Sequence, residues 1–315
     1  MMGTFGSVSG APLSRRDLLR LLVGASAAAS LAGARLRADQ ALSRRPIPRT
    51  GELLPVVGLG TWETFDAGDS PAEREPLREV LERFAARGAR FVDSSPMYGR
   101  AESVLGQLAK ELGIRGSLFV ATKVWTTGRE EGIAQMGRSQ ERLGAAPLDL
   151  IQVHNLLDVE THLSTLAEWK AEGRIRYVGI THYVSSAYPQ IEHLLRTRLL
   201  DFVQFNYSIA DRSAERSLLS LAAEKGASVV INRPFEGKAL FDRVRGKELP
   251  PWAAEIGCRS WAQFFLKFIL AHPAVTCVIP GTSNVKHLED NLDAARGPFP
   301  DDATRRLMAR YFDHL

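Results

Sequence analysis

Several features that would place this chain in a specialised class are scarce or missing. There are only 2 cysteines in 315 residues. Cys258 and Cys277 both lie in apolar stretches and read as buried thiols, although an oxidising compartment would permit a bridge between them. The 7 histidines are not spaced with cysteines or carboxylates as metal ligands are, so no metal site is expected. The strand-like run Val57-Gly-Leu-Gly60 is not followed by the third glycine of a Gly-x-Gly-x-x-Gly fingerprint, which argues against an open doubly wound sheet. A formal net charge of +4 makes no case for nucleic-acid binding. The weakly apolar stretch near the N-terminus is too short and alanine-rich for a stable membrane span, which takes roughly 20 strongly apolar residues.

Strand-like and helix-like segments alternate along most of the chain. Apolar residues make up 45% and charged residues 24%, enough for a sizeable core. Runs rich in Val, Ile, Leu and Phe predict strands near 56–59, 90–93, 118–122, 148–153, 175–180, 201–206, 228–232 and 275–279. Helical patterns fill the gaps near 72–87, 101–112, 129–143, 160–172, 186–197, 213–225, 252–271 and 284–295. Gly88, Gly113, Gly144, Gly173 and Gly226 stand where helices should stop, since glycine takes the left-handed cap cheaply. Eight such units with right-handed crossovers predict an α/β fold, a (β/α)8 TIM barrel. A short N-terminal hairpin, with a Thr50-Gly51 turn, should precede it, and one short C-terminal helix should lie between Pro298 and Leu315.

The N-terminal segment carries a different message. Residues 14–20 read Ser-Arg-Arg-Asp-Leu-Leu-Arg, followed by an alanine-rich apolar stretch and the small-residue site Ala32-Gly-Ala34. These are the parts of a bacterial twin-arginine signal. The expected organisation is a signal peptide over 1–34 cut after Ala34, a linker over 35–43 and the barrel over 44–315. Export machinery would then be a partner, with a periplasmic destination; if the signal is not used, the protein is cytoplasmic.

Four polar side chains fall at or just beyond predicted strand ends: Asp93, Tyr98, Lys123 and His154. Barrels of this kind keep their chemistry at the carboxyl ends of the strands. A phenol, an ammonium, a carboxylate and an imidazole converging there make a proton-donating site. Each alone has an ordinary reading: a helix cap, a packed turn aromatic, a solvated strand end, a satisfied core histidine. In this order and context they resemble the aldo-keto reductase superfamily, over roughly residues 44–300. The resemblance implies NADPH-dependent reduction of an aldehyde or ketone to an alcohol. Tyr98 would be the general acid, assisted by Lys123, which Asp93 holds in place, and His154 would orient the carbonyl. The alternative is a dinucleotide-binding regulatory or sensor subunit with little turnover.

The resemblance extends to cofactor contacts. Val278-Ile-Pro-Gly-Thr-Ser-Asn-Val-Lys-His-Leu-Glu-Asp-Asn291 runs from a strand through a turn into a helix, whose free amides can receive a phosphate. Thr282 and Ser283 match the family's hydroxyl positions and Asn291 its adenine contact; the bland alternative is an ordinary helix capped by Asn284. Gly281 and His287 stand where a lysine and an arginine often grip the 2′-phosphate, and Lys286 offers a partial substitute. NADPH is therefore the expected cofactor, with NADH possible. Gln204 matches the glutamine that faces the nicotinamide. Thr181-His182 replaces the usual Ser-Asn, which would make cofactor binding pH-sensitive. Asn232 stands at the place of a stacking aromatic, with Arg233 or Phe235 available to cover the ring or pyrophosphate. Trp62, Phe65, Met97, Trp125 and Asn155 are the expected pocket walls, and the tryptophans favour an apolar or aromatic-bearing carbonyl compound.

Overall fold

A computed structural model describes residues 41–315, so the predicted signal and the linker as far as residue 40 lie outside the described residues. The first described strands, β1 (Arg44–Pro46) and β2 (Leu53–Pro55), pair antiparallel as the expected hairpin. Eight parallel strands follow in sequential order: β3 (Leu59–Gly60), β4 (Phe91–Asp93), β5 (Phe119–Val124), β6 (Leu148–His154), β7 (Ile175–Thr181), β8 (Phe202–Asn206), β9 (Ser228–Asn232) and β10 (Val275–Val278). The ring closes between the first and last of these. Gly58 N donates to Val278 O at 2.8 Å, and parallel bridges join Val57 to Val278 and Gly60 to Gly281. The protein is a (β/α)8 barrel preceded by a hairpin.

Alternation along the strands divides the buried residues into two sets, because successive side chains point to opposite faces. Phe91, Phe119, Ala121, Leu150, Tyr177, Phe202, Val230, Cys277 and Ile279 form a cluster inside the barrel. Their neighbours Val92, Val120, Ile151, Val153 and Val229 point outward and pack in the larger cluster that includes the surrounding helices. Phe91 and Phe119 stack with ring centroids 5.1 Å apart, and Tyr177 meets Phe202 edge-on at 5.4 Å. Ile47 and Leu54 of the hairpin join this interior cluster and are fully buried. One end of the barrel is thus an apolar floor, while polar side chains occupy the carboxyl ends of its strands.

Helices Pro71–Ala86, Ala101–Glu111, Arg129–Leu143, Val159–Ala171, Tyr188–Thr197 and Val285–Asp293 fall where expected. All five glycines predicted to stop helices have positive φ. The helix expected over 252–271 is instead broken. A 3-10 turn spans Pro251–Ala254, Gly257 turns left-handed at φ 69°, and the α-helix begins only at Trp261. Ser260 caps it, its hydroxyl accepting from Gln263 N at 3.1 Å. Apolar content over the whole stretch concealed a glycine and a capping serine that restart the helix. Cys258 consequently lies between the turn and the helix, and both cysteines are buried free thiols. The segment 213–225 is likewise divided, into a 3-10 turn at Ser213–Arg216 and a helix at Leu218–Glu224. A short helix at Ala239–Arg243 was not anticipated. The C-terminal helix, Asp302–Asp313, buries Met308 and Phe312, the latter edge-on to Phe265 at 5.7 Å. No helix among the described residues is long and apolar enough to cross a membrane.

Candidate active site

Strand register brings the four predicted residues together. Gly60 pairs with Asp93, Asp93 with Ala121, Lys123 with Gln152 and His154 with Thr181. Asp93, Lys123, Gln152 and His154 all point inward above the apolar floor and are buried. Lys123 Nζ donates to Asp93 Oδ2 at 2.6 Å and to Ser94 O at 2.7 Å. It also lies 4.9 Å from the centroid of the Tyr98 ring. Tyr98 and His154 meet edge to face, with ring centroids 5.8 Å apart. Tyr98 is the one member of the four that remains partly exposed.

Electrostatics defines each proton. Burial drives the Tyr98 phenol above its ordinary pKa; the Lys123 charge pulls it down and Asp93 pushes it up, leaving the phenol raised. The phenol is raised although Lys123 lies beside it, because removing the phenolate from water costs more than the ammonium returns. Burial alone would lower the Lys123 pKa, but Asp93 and Tyr98 reverse this and raise it. His154 is driven down to about 2, first by burial and then by the Lys123 charge and His182. Its imidazole is neutral at any working pH.

Two glutamines complete the surroundings of Asp93. Gln204 Nε2 donates to Asp93 Oδ1 at 3.0 Å and Gln152 Nε2 at 3.3 Å. Gln204 Oε1 accepts from Thr181 Oγ1 at 2.8 Å and Asn232 Nδ2 at 3.4 Å. One chain of hydrogen bonds thus links the expected carboxamide contacts to the carboxylate. The sequence reading missed Gln152. Its position two before His154 on a strand, hence on the same face, was the available signal.

His182 also differs from expectation. Its Nδ1 accepts from the backbone N–H groups of Tyr183 at 2.9 Å and Val184 at 3.3 Å, and burial lowers its pKa. A proton on Nδ1 would face two donors, so the imidazole is neutral with Nε2–H as its donor. The pH sensitivity foreseen for this position moves to acid conditions. Asn232 Nδ2 donates to His182 O at 3.0 Å, while Asn232 Oδ1 is buried with no partner. That orphaned acceptor fits the amide N–H of a nicotinamide carboxamide. Arg233 lies 5.9 Å from the Tyr183 ring. Phe235 packs on Phe241 at 4.9 Å and on Phe265 at 6.5 Å, the packing alternative for this residue.

The second anion-binding element is the helix Val285–Asp293. Asn284 caps it, Oδ1 accepting from Lys286 N at 2.8 Å. Thr282 is buried and bonded to Asn284 N at 3.1 Å, Asn291 is buried, and Ser283, Lys286 and His287 are exposed. Gly281 lies on the barrel seam, where an added Cβ would stand 3.2 Å from Gly60 O. A Cβ there would make a tight contact with backbone, although Gly281 itself is exposed. Among the described residues no group of three His, Cys, Asp or Glu could hold a metal ion.

Around the carboxyl ends, Trp62, Met97, Trp125 and Tyr183 are exposed large apolar side chains. Phe65 is fully buried and belongs to the core. Gln135 clamps the Trp125 backbone, accepting from its N–H at 2.6 Å and donating to its carbonyl at 3.0 Å. Asn155 follows His154 in a left-handed conformation, φ 52°, with its side-chain oxygen unpartnered.

Comparison with known proteins follows the same lines. The profile described as "Aldo/keto reductase family" matches residues 56–310. The aldo-keto reductase str7 of Strobilurus tenacellus is 27% identical over 296 residues, covering 79% of this chain and 87% of that protein. The NADH-specific methylglyoxal reductase of Escherichia coli is 27% identical over 241 residues, covering 66% and 72%. An aldo/keto reductase from Klebsiella pneumoniae, solved with NADP and acetate, superposes with TM-score 0.70 at 22% identity, covering 83% and 93%. At that identity the likeness speaks for the fold.

Proposed function

The chain belongs to the aldo/keto reductase family, and from that premise we propose that it reduces an aldehyde or ketone to an alcohol with a nicotinamide dinucleotide, Tyr98 supplying the proton. The observation that carries the reading is the Tyr98 phenol held beside a buried Lys123–Asp93 pair, where burial keeps it in the protonated, donating form. The bound dinucleotide supplies a hydride to the carbonyl carbon. His154, neutral, donates to the carbonyl oxygen and orients it. As charge develops on that oxygen, Tyr98 gives up its proton, and the nearby ammonium stabilises the phenolate left behind. Thr181, His182, Gln204 and Asn232 would hold the nicotinamide amide; Thr282, Ser283, Lys286, His287 and Asn291 would hold the adenosine end. Trp62, Met97, Trp125 and Asn155 would line a pocket for an apolar or aromatic carbonyl compound. The test is oxidation of NADPH and NADH over a panel of aldehydes and ketones; absence of turnover with every member would overturn the reading and leave the sensor role.

NADPH should bind more tightly than NADH. Similar proteins include both an NADP-bound structure and an NADH-specific reductase. In this chain, the helix N-terminus, its hydroxyls and the exposed Lys286 and His287 supply donors for a 2′-phosphate. With Gly281 in place of a lysine, discrimination should be smaller than with a lysine there. Titration calorimetry should find that His287→Leu raises the NADPH Kd more than the NADH Kd; equal changes would remove His287 from cofactor choice.

Residues 1–34 would direct the folded protein to the periplasm through the twin-arginine route. Replacing Arg15 and Arg16 with lysine should leave active protein in the cytoplasmic fraction, whereas undiminished export would contradict this assignment.

A further inference from the structure

Ser95 lies between Asp93, the last residue of β4, and Tyr98 in the loop that follows, and it is fully buried. Its Oγ is 3.1 Å from His154 Nδ1 and accepts from Met97 N at 3.3 Å. A hydroxyl has one proton and two lone pairs. With the Met97 N–H directed at a lone pair, the proton is free to turn to Nδ1. Among the described residues no other acceptor lies within hydrogen-bond distance of this hydroxyl. A neutral imidazole carries one proton, and which nitrogen holds it is set by the bond the other makes.

We propose that Ser95 is the positioning residue that fixes the tautomer of His154, making Nδ1 the acceptor and Nε2–H the group presented to the substrate carbonyl. The opposite tautomer would have Nδ1–H donate to Ser95, leaving the serine proton buried without an acceptor. It would also turn a lone pair toward the carbonyl oxygen, opposing the charge that develops there. The Met97 amide thus orients Ser95, Ser95 orients the imidazole proton, and the imidazole orients the substrate.

The kinetic consequence rests on the proposed reduction; the tautomer does not. Nitrogen NMR of the isotopically labelled full chain, with the His154 signals assigned by their loss in His154→Asn, should find a pyridine-like Nδ1 and a pyrrole-like Nε2–H. Ser95→Ala should shift both signals toward a mixture of tautomers. It should also lower kcat/KM for carbonyl reduction by roughly 3–10-fold, the scale of one neutral hydrogen bond, with dinucleotide affinity unchanged. Ser95→Thr, which keeps the hydroxyl, should restore both the signals and the rate. Ser95→Cys, close in volume but a weak donor, should fall between the two. A pyrrole-like Nδ1 in the parent protein would overturn the proposal. So would an alanine variant with the parent's signals and rate. A parent without carbonyl turnover would instead count against the reductase reading, while the NMR result still decides the role of Ser95.

Discussion

Replacing Tyr98 with phenylalanine should cut carbonyl reduction by roughly 10²–10⁴-fold, the range for loss of a general acid. Phenylalanine keeps the ring that meets His154 edge-on and lies beside Lys123. Only the hydroxyl goes, and with it the proton needed when charge develops on the carbonyl oxygen. That interaction belongs to the transition state, so kcat should fall while NADPH affinity stays near the parent value. Measuring turnover beside a dinucleotide titration separates the two. A variant that still turns over normally would take Tyr98 out of the mechanism, and one that loses NADPH binding would assign the phenol to the cofactor.

Lys123→Met should be nearly as damaging, through two effects of different kind. The first is electrostatic. With the ammonium gone, burial and Asp93 both push the Tyr98 phenol further up, and nothing named in the site opposes them. Reduction needs the protonated phenol, so activity falls as pH rises through its pKa. The alkaline limb of the kcat/KM profile should therefore move to higher pH in the variant, at a rate reduced about 10²-fold or more for want of stabilisation of the phenolate. An unmoved limb would uncouple the lysine from the tyrosine. The second effect is on the fold. Lys123 and Asp93 form a buried ion pair at 2.6 Å, and removing one partner of such a pair costs about 3–5 kcal/mol. The variant's Tm should drop accordingly, whereas Tyr98→Phe, which leaves the pair intact, should change it little. Tyr98→Phe, which keeps Lys123, should acquire no acid limb from His154, whose pKa burial and the Lys123 charge hold at about 2.

The glutamines around Asp93 explain why sequence alone understated this site. Gln204 was recognised as a cofactor residue, yet its amide nitrogen is held by Asp93 and its oxygen by Thr181 and Asn232. Gln152 was not recognised at all. Both contacts cross from one strand to another, and Gln204 is 111 residues from the carboxylate it touches. No local pattern encodes such a distance.

The order of elements, the eight strands, the five helix-stopping glycines and the four polar residues at strand ends were legible in the sequence. Each rests on something local: side-chain alternation of period two along a strand, the freedom of glycine to take positive φ, the position of a residue relative to an apolar run. The same local reasoning failed over 252–271, where apolar content outweighed Gly257 and Ser260 in the reading but not in the fold. Tertiary structure alone decided which side chains meet and which protonation states follow. Strand register placed Lys123 beside Asp93 and Gln152 opposite Lys123. Packing of the segment after β9 against two helices determined that Phe235 meets Phe241 and Phe265. Closure of the seam brought Gly281 against the Gly60 backbone, where an added Cβ would be a tight contact. Burial then set the sign of the shift at Tyr98 and lowered the pKa of both His154 and His182. Desolvation depends on every group that closes over a site, and those groups come from strands distant in sequence.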